Sequence, residues 1–376
     1  MLERIFTQIR YRFFDYSGKP KEIQVGNNKH LAEALSWFQS SLLPEGGAAA
    51  QYSLMTHHLS PGYPLSTANW IPVLSRINLF YPELYKQFIK NQDTISELVN
   101  WVLRTQRRDG TFPASFGDFM NQPPRVFNNG MIIHSLLDHH NEHGGIDLLD
   151  ACINSADWIL KVQSPDGSWR QFTDHQLSSN TLTASALIRL ADITGEKKYF
   201  DAGEKNIRFS LELLSPNGYF MGNGFDTSPS AFTITIAYAI AGVLEAGILT
   251  GNDEWKGAAM KALVPVFNLV SSNGFLVGEL DENFQSNSNY TCLAGNSLLA
   301  IIGYKLASLE NNSTLKIKSD LLINYVKGRQ MESKTPQIHG GVSGSWPISG
   351  NYCSYEIPSW SVRYFIEALM MQDATI

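Results

Sequence analysis

Charge is scarce in this sequence. Lys, Arg, Asp and Glu make up 17% of 376 residues, and the net charge of −6 comes with no cluster of Lys or Arg. A nucleic-acid partner needs a basic stripe, so none is expected. Cysteine is scarcer still: Cys152, Cys292 and Cys353 stand far apart and form no CxxC pair. That excludes a disulfide framework and points to a reducing compartment. No run of eighteen apolar residues occurs, so no membrane span is expected. Phosphate-loop, dinucleotide and HExxH motifs are missing as well. The pairs His57-His58 and His139-His140, the latter with His143, are not read as metal ligands. Adjacent side chains on a helix diverge by about 100° and rarely reach one ion. Neither a metal nor a cofactor is expected. The start, MLERIFTQIRYRFF, is basic and amphipathic but lacks the apolar core and cleavage site of a signal peptide. It reads as an amphipathic segment, residues 1–28, packed on or beside the domain. The expected location is the cytoplasm, or the face of the inner membrane.

What is present is a repeat. Asp-Gly or Asn-Gly turns closed by an apolar residue recur in RRDGTF (107–112), SPDGSWRQF (164–172), SPNGYF (215–220) and SSNGFL (271–276). Two diverged copies, PEGGAA with Gly46 and Gly47 and HGGVSGSW from His339 to Trp346, make six. With Gly46, Asp109, Asp166, Asn217, Asn273 and Gly340 as markers, the spacings are 63, 57, 51, 56 and 67 residues. That suits two helices plus loops. Stretches such as SELVNWVLRTQ and SADWILKVQ place apolar residues at helical spacing before the marks, and TASALIRLADITG and AIAGVLEAGILTG follow them with a terminal Gly stop. No linker interrupts the series, and 43% apolar residues can bury a large core. The expected fold is all-α: one domain, residues 1–376, forming an (α/α)6 toroid of six helical hairpins with the turn marks at one end.

Polar residues at helix starts mark the candidate site. Asn128 and Asn129 open one helix, Asn180 with Thr181 another, and Tyr290 with Asn296 a third. Helix N-termini are positive, so a ring of such donors suits a carboxylate-bearing sugar polymer, although capping alone would place Asn there too. Trp169, Trp346 and Tyr355 follow turn marks and offer flat rings for pyranose faces, whereas Phe112, Tyr219 and Trp360 read as plugs of the hairpin ends.

Several stretches resemble a known group. RVFNNGMIIHSLL, CLAGNSLLAIIGYKLA and GGVSGSWPISGNYCSYEIPSWSVRYFIEAL resemble bacterial α/α-toroid proteins of polysaccharide biosynthesis, over nearly the whole chain. Within that group the sequence is most similar to prokaryotic glucuronyl C5-epimerases of the heparosan-modifying type. The resemblance implies a polymer-level epimerase converting glucuronate to iduronate without a cofactor. It also implies that Tyr290, which matches a catalytic tyrosine before a Thr-containing helix, carries proton transfer. Two patterns of the group are broken. Phe225, Asp226, Thr227 and Ser228 stand where animal enzymes have Glu-Tyr-Pro-Thr, and Tyr63, Pro64, Leu65, Ser66, Thr67 replace a Tyr-Pro-Glu-Thr-Thr phrase.

Epimerisation at C5 removes a proton α to a carboxylate and returns one to the other face, so two acid/base groups must flank the ring. Tyr290 is assigned to one face and His175 or Glu279 to the other. Arg125, Asn128, Asn129 and Asn180 are assigned to the carboxylate, with Tyr63, Asn296, Trp169, Trp346 and Tyr355 as further contacts. A polysaccharide lyase shares the first step, and a non-catalytic glycan-binding protein shares the aromatic mouth. A glycoside hydrolase needs two carboxylates about 5 to 10 Å apart, and no pair stands out in the sequence. The expected partner is an acidic polysaccharide, and a homodimer is left open.

Overall fold

The computed structural model describes residues 7–9, 26–114, 122–173, 177–226 and 228–374, apart from the side chains of residues 142 and 143. The helices in chain order are α1 (Asn27–Ser41), α2 (Pro64–Phe80), α3 (Pro82–Phe88), α4 (Thr94–Thr105), α5 (Val126–His143), α6 (Ile146–Lys161), α7 (Thr181–Thr194), α8 (Lys197–Glu212), α9 (Thr233–Thr250), α10 (Asp253–Asn268), α11 (Leu293–Glu310), α12 (Ser313–Lys327) and α13 (Ser359–Ala374). Six of them form an inner ring in which α2 packs on α5, α5 on α7, α7 on α9, α9 on α11, α11 on α13 and α13 back on α2. The outer layer is α4, α6, α8, α10 and α12, each paired with the inner helix before it, and α1 packs on α13. The two chain ends thus make the sixth hairpin and close the toroid. The all-α toroid expected from the repeat is the fold observed.

Inner and outer helices differ as their sequences require. The inner helix α9, TITIAYAIAGVLEAGILT, is apolar on all sides and buried along most of its length, whereas the outer α8 buries one stripe. Among the described residues α9 alone is long and apolar enough to cross a membrane, but 78% of it is buried inside the toroid. Gly195 and Gly251 end α7 and α9 in the left-handed conformation, as the terminal-Gly pattern implies.

The turn marks explain themselves in three dimensions. Each follows an outer helix and leads to the next inner one, so all six lie at one end of the toroid. Asp109 and Asp166 accept hydrogen bonds from the backbone and hydroxyl of Thr111 and Ser168, closing an Asx turn. The amides of Gln106, Gln163 and Gln330 each bridge a turn glycine carbonyl (Gly110, Gly167, Gly340) to the backbone of the adjacent outer helix, at Ala151, Ala202 and His30. The glycine itself is required by contact. A Cβ at Gly110, Gly167, Gly218, Gly274 or Gly340 would lie within 2.5 Å of a carbonyl oxygen of that next outer helix, where φ is positive besides. The repeated phrase is the joint between neighbouring hairpins, and Gly340 against Glu33 of α1 is the joint that closes the ring.

Short strands cap this same end: β1 (Gln51–Ser53), β2 (His58–Leu59), β3 (Ser230–Phe232), β4 (Glu279–Asp281), β5 (Thr291–Cys292), β6 (Ser345–Trp346) and β7 (Glu356–Pro358). They pair antiparallel as β2-β1-β7, β3-β4 and β5-β6. Strands β3, β5 and β7 run directly into inner helices α9, α11 and α13, so the loops they carry stand over the helix N-termini.

Candidate functional site

Three inner-helix approaches converge on one acid. Pairing of β3 with β4 sets Glu279 opposite Phe232, the residue before α9. The Tyr290 carbonyl accepts from Gly278 N at 2.8 Å, which draws the start of α11 against β4. The Tyr290 ring lies between Gly278 and Gly350, where an added Cβ would sit 2.3 and 2.5 Å from ring carbons. Its hydroxyl donates to Glu279 Oε1, and Asn351 Nδ2 donates to the same oxygen at 3.2 Å. Tyr290 is only 3% exposed, whereas Glu279 is half-buried and Asn351 exposed. Burial first, and then the bond to Glu279, push the Tyr290 phenol well above its usual value. The pair is therefore a neutral phenol donating to a carboxylate, with the carboxylate as the accessible partner. It can hold, deliver or receive one proton at the mouth.

Aromatic rings stand beside it. Phe232 meets Tyr352 edge-on at 5.2 Å, Phe225 lies 6.2 Å from Phe232, and the Trp360 indole donates to the Tyr352 hydroxyl at 2.8 Å. Phe225 is more than one-third exposed. Trp346, in β6, is half-buried with the Arg329 guanidinium 6.0 Å from its ring. Tyr355 is buried and holds a left-handed φ of 59°. Burial raises the Glu356 carboxyl above its ordinary range.

A second group forms where α2 and α5 begin. Asn128 donates to the Tyr63 hydroxyl, and Tyr63, whose phenol burial pushes up to about 12, lies in the field of the half-buried Arg125. Asn180 is buried in the short 3-10 turn that leads into α7.

Other assigned residues serve the scaffold. Asn129 is fully buried. It accepts from Phe112 N at 2.8 Å and Ser155 Oγ at 3.0 Å, and it donates to the Phe112 and Arg125 carbonyls. It fastens a turn mark to α5 and presents no donor to a ligand. Trp169 is also fully buried, its indole donating to the Ile159 carbonyl of α6 at 3.0 Å. It plugs a hairpin end, as Phe112 and Tyr219 do. Asn296 is buried within α11, accepting from Thr291 at 3.3 Å. The expected common lining is corrected for Asn129 and Trp169, because a ring after a tight turn and an amide at a helix start each found a partner in the nearest corner. His175 lies outside the described residues.

The opposite end of the toroid is different in kind. A cavity of about 1020 Å³ opens among the C-terminal halves of the inner helices. Arg76 bridges Asp138 (3.1 Å) and Glu367 (3.2 Å), Arg189 also pairs with Asp138, Arg363 with Glu367 (3.3 Å), and Lys305 with Glu245. Despite burial, the neighbouring guanidiniums hold Asp138 below the usual carboxylate range. His134, with Nε2 near the Leu182 carbonyl (3.1 Å) and Ser185 Oγ (2.9 Å), is driven down to about 4, chiefly by burial and then by Arg189. The unfolded chain, with an ordinary histidine near 6.5, binds the proton more readily between those values. Lowering the pH through that window therefore costs stability, up to about 3 kcal/mol from this residue. Denaturant unfolding at pH 7 and pH 4 is expected to show a smaller pH-dependent loss in His134→Gln than in the parent by that amount. The sequence reading missed Asn351, for which no signal exists, and this charged wall. A signal existed for the wall: single charges inside apolar helices must find partners. Among the described residues, no group of His, Cys, Asp or Glu side chains is placed to hold a metal.

Residues 88–230 match the family described as β-L-arabinofuranosidase, GH127 catalytic domain. The cellobiose 2-epimerase of Bacillus thermoamylovorans B4167 superposes with a TM-score of 0.70 at 13% identity, covering 92% of this chain and 98% of that one. A D-mannose isomerase gives 0.72 at 10% identity, covering 93% and 97%. An unsaturated glucuronyl hydrolase specific for heparin gives 0.68 at 12%, covering 93% and 97%. No curated protein matches the chain by sequence. The chain is an α/α toroid of the architecture these sugar isomerases, epimerases and glycoside hydrolases share. At such identities the likeness establishes the fold, and it does not reach the glucuronyl epimerase the sequence resembles.

Proposed function

We propose that the loop end is the active site of a carbohydrate-active enzyme that epimerises glucuronate to iduronate at C5 within a heparosan-like polysaccharide. The observation that carries the reading is the Tyr290–Glu279 hydrogen bond, a proton-holding pair formed by residues eleven apart in sequence and held in place by two glycines. The family match to a glycoside-hydrolase catalytic domain and the sugar-active structural neighbours support a glycan substrate.

In this scheme Glu279 faces the sugar. As a carboxylate it takes the C5 proton on the oxygen that Tyr290 leaves free, while the Tyr290 phenol, which stays protonated, keeps donating to Oε1 and holds the carboxyl in place. Asn351 keeps the carboxylate turned to the mouth. Arg125, with Asn128 and Tyr63, meets the uronate carboxylate and lowers the cost of the enolate-like intermediate. Phe225 and Phe232 offer faces for the pyranose ring. Protonation of the opposite face falls to His175. The sequence expectation set Tyr290 and Glu279 on opposite faces of the ring; in this scheme Glu279 takes the face given to Tyr290, because the tyrosine is the buried member of a bonded pair.

Heparosan incubated with the protein in heavy water tests this. Deuterium at C5 with iduronate signals by NMR is the expected result. An unsaturated uronate absorbing in the ultraviolet would instead identify a lyase, and new reducing ends without unsaturation a hydrolase, the reading the family match favours. Binding with none of these changes would leave a glycan-binding protein.

A further inference from the structure

We infer that the cavity at the inner-helix C-termini is a second ligand site, built for a small carboxylate carrying an apolar body. The site is independent of the loop-end chemistry.

Its walls are unequal. On α2, α5, α7 and α13 stand Arg76, Asp138, Arg189, Arg363 and Glu367; on α9 and α11 stand Leu244, Leu298, Ile301 and Ile302. The polar wall has three guanidiniums and two carboxylates, a net charge of +1, joined by the Arg76 bridge. Three guanidiniums bring about fifteen N–H donors and no acceptor, against about eight acceptor positions on two carboxylates. The surplus is visible at Arg363, about nine-tenths buried, whose Nε and Nη1 have no hydrogen-bond partner and whose guanidinium lies 4.6 Å from the Tyr364 ring. A buried cationic donor without an acceptor is costly, and a carboxylate is the group that supplies acceptors and one negative charge together. Guanidinium forks match its geometry.

Over the whole lining four cations face five carboxylates, so the positive charge is local to this wall. Lys305 and Glu245 neutralise each other. Asp373 spends its oxygens on Asn27 (2.6 Å) and Tyr81 (2.7 Å). Asp192 is exposed at the rim. Opposite the charged wall, the aliphatic side chains of α9 and α11 have no ionic role and suit a hydrocarbon. The cavity's volume lies at the upper end of the usual range for small-molecule sites, about 300–1,000 Å³. Exposed Phe80 and Leu249 extend the apolar surface to the opening.

Calorimetric titration of the full-length protein with decanoate, below its micelle concentration, tests the assignment. Saturable one-to-one binding is expected, at least tenfold tighter than decanamide and absent for decyltrimethylammonium. Arg76→Gln, which removes the bridging cation from a partly exposed position, is expected to weaken decanoate at least tenfold. Ile301→Trp, which fills the apolar half, is expected to abolish binding, with melting temperature as the control for folding. Equal affinity for decanamide overturns the inference, as does decanoate binding unchanged in both variants or no binding by the folded parent. Decyl phosphate binding tenfold tighter than decanoate overturns the choice of a carboxylate.

Discussion

Replacing Glu279 by Gln is expected to reduce C5 exchange by roughly 10² to 10⁴, the usual worth of a positioned acid or base. The substitution keeps the size of the side chain and leaves it able to bond Tyr290 and Asn351, so oligosaccharide binding and melting temperature should change little. Tyr290→Phe gives the complementary result. The ring still fills the slot between Gly278 and Gly350, but the proton donated to Glu279 is gone. Exchange should fall by a comparable factor, while the lost hydrogen bond costs about 1 kcal/mol of stability. If Tyr290 were merely a plug, the Phe variant would lose the stability and keep the exchange rate. Measuring deuterium uptake at C5 alongside thermal unfolding separates the two.

The second large effect concerns ring closure. Gly340 has φ of +79°, and a Cβ there would lie 1.9 Å from the Glu33 carbonyl oxygen. Gly340→Ala therefore combines backbone strain with a clash against α1, together about 3 to 5 kcal/mol. Gly195 is the control: its φ is +71° but nothing stands within 4 Å of the added carbon, so Gly195→Ala should cost only about 1 kcal/mol. Urea midpoints of the two variants measure the difference. Equal losses would mean that the seam between the first and last helices is loose.

The fold was legible because the joint between hairpins is a local sequence event. An Asx turn, a glycine at positive φ and a glutamine three residues before the Asp mark are all short-range, and SPDGSW with Gln163 writes the whole device within seven residues. The short strands were not legible: Thr291–Cys292 and Ser345–Trp346 are two-residue pairings whose register depends on loops distant in sequence. The site divides the same way. Tyr290 could be named from the resemblance and its place before an inner helix, and Glu279 from its place after a turn mark, but their meeting depends on the bond from Gly278 N to the Tyr290 carbonyl, a contact across a loop. Asn351 arrives from the loop before α13, with nothing nearby to announce it. Trp169 and Asn129 were assigned to the mouth because position after a turn or at a helix start does not say which way a side chain points. Each found a backbone partner in the corner instead, Ile159 O for the indole and Phe112 for the amide. His134 and Asp138 of α5, Arg189 of α7 and Glu367 of α13 passed unnoticed because their partners across the cavity lie on other helices, and only closure of the ring brings Arg76, Asp138, Arg189 and Glu367 together.

Where a uronate oligosaccharide lies on the toroid tests the central claim most directly. Crystals of the Glu279→Gln variant grown with a heparosan oligosaccharide would report it. The account predicts a glucuronate ring at the loop end, its C5 facing the side chain of residue 279 and its carboxylate directed toward Arg125. An oligosaccharide bound instead in the cavity at the inner-helix C-termini, or at the loop end with no ring within reach of residue 279, would contradict it.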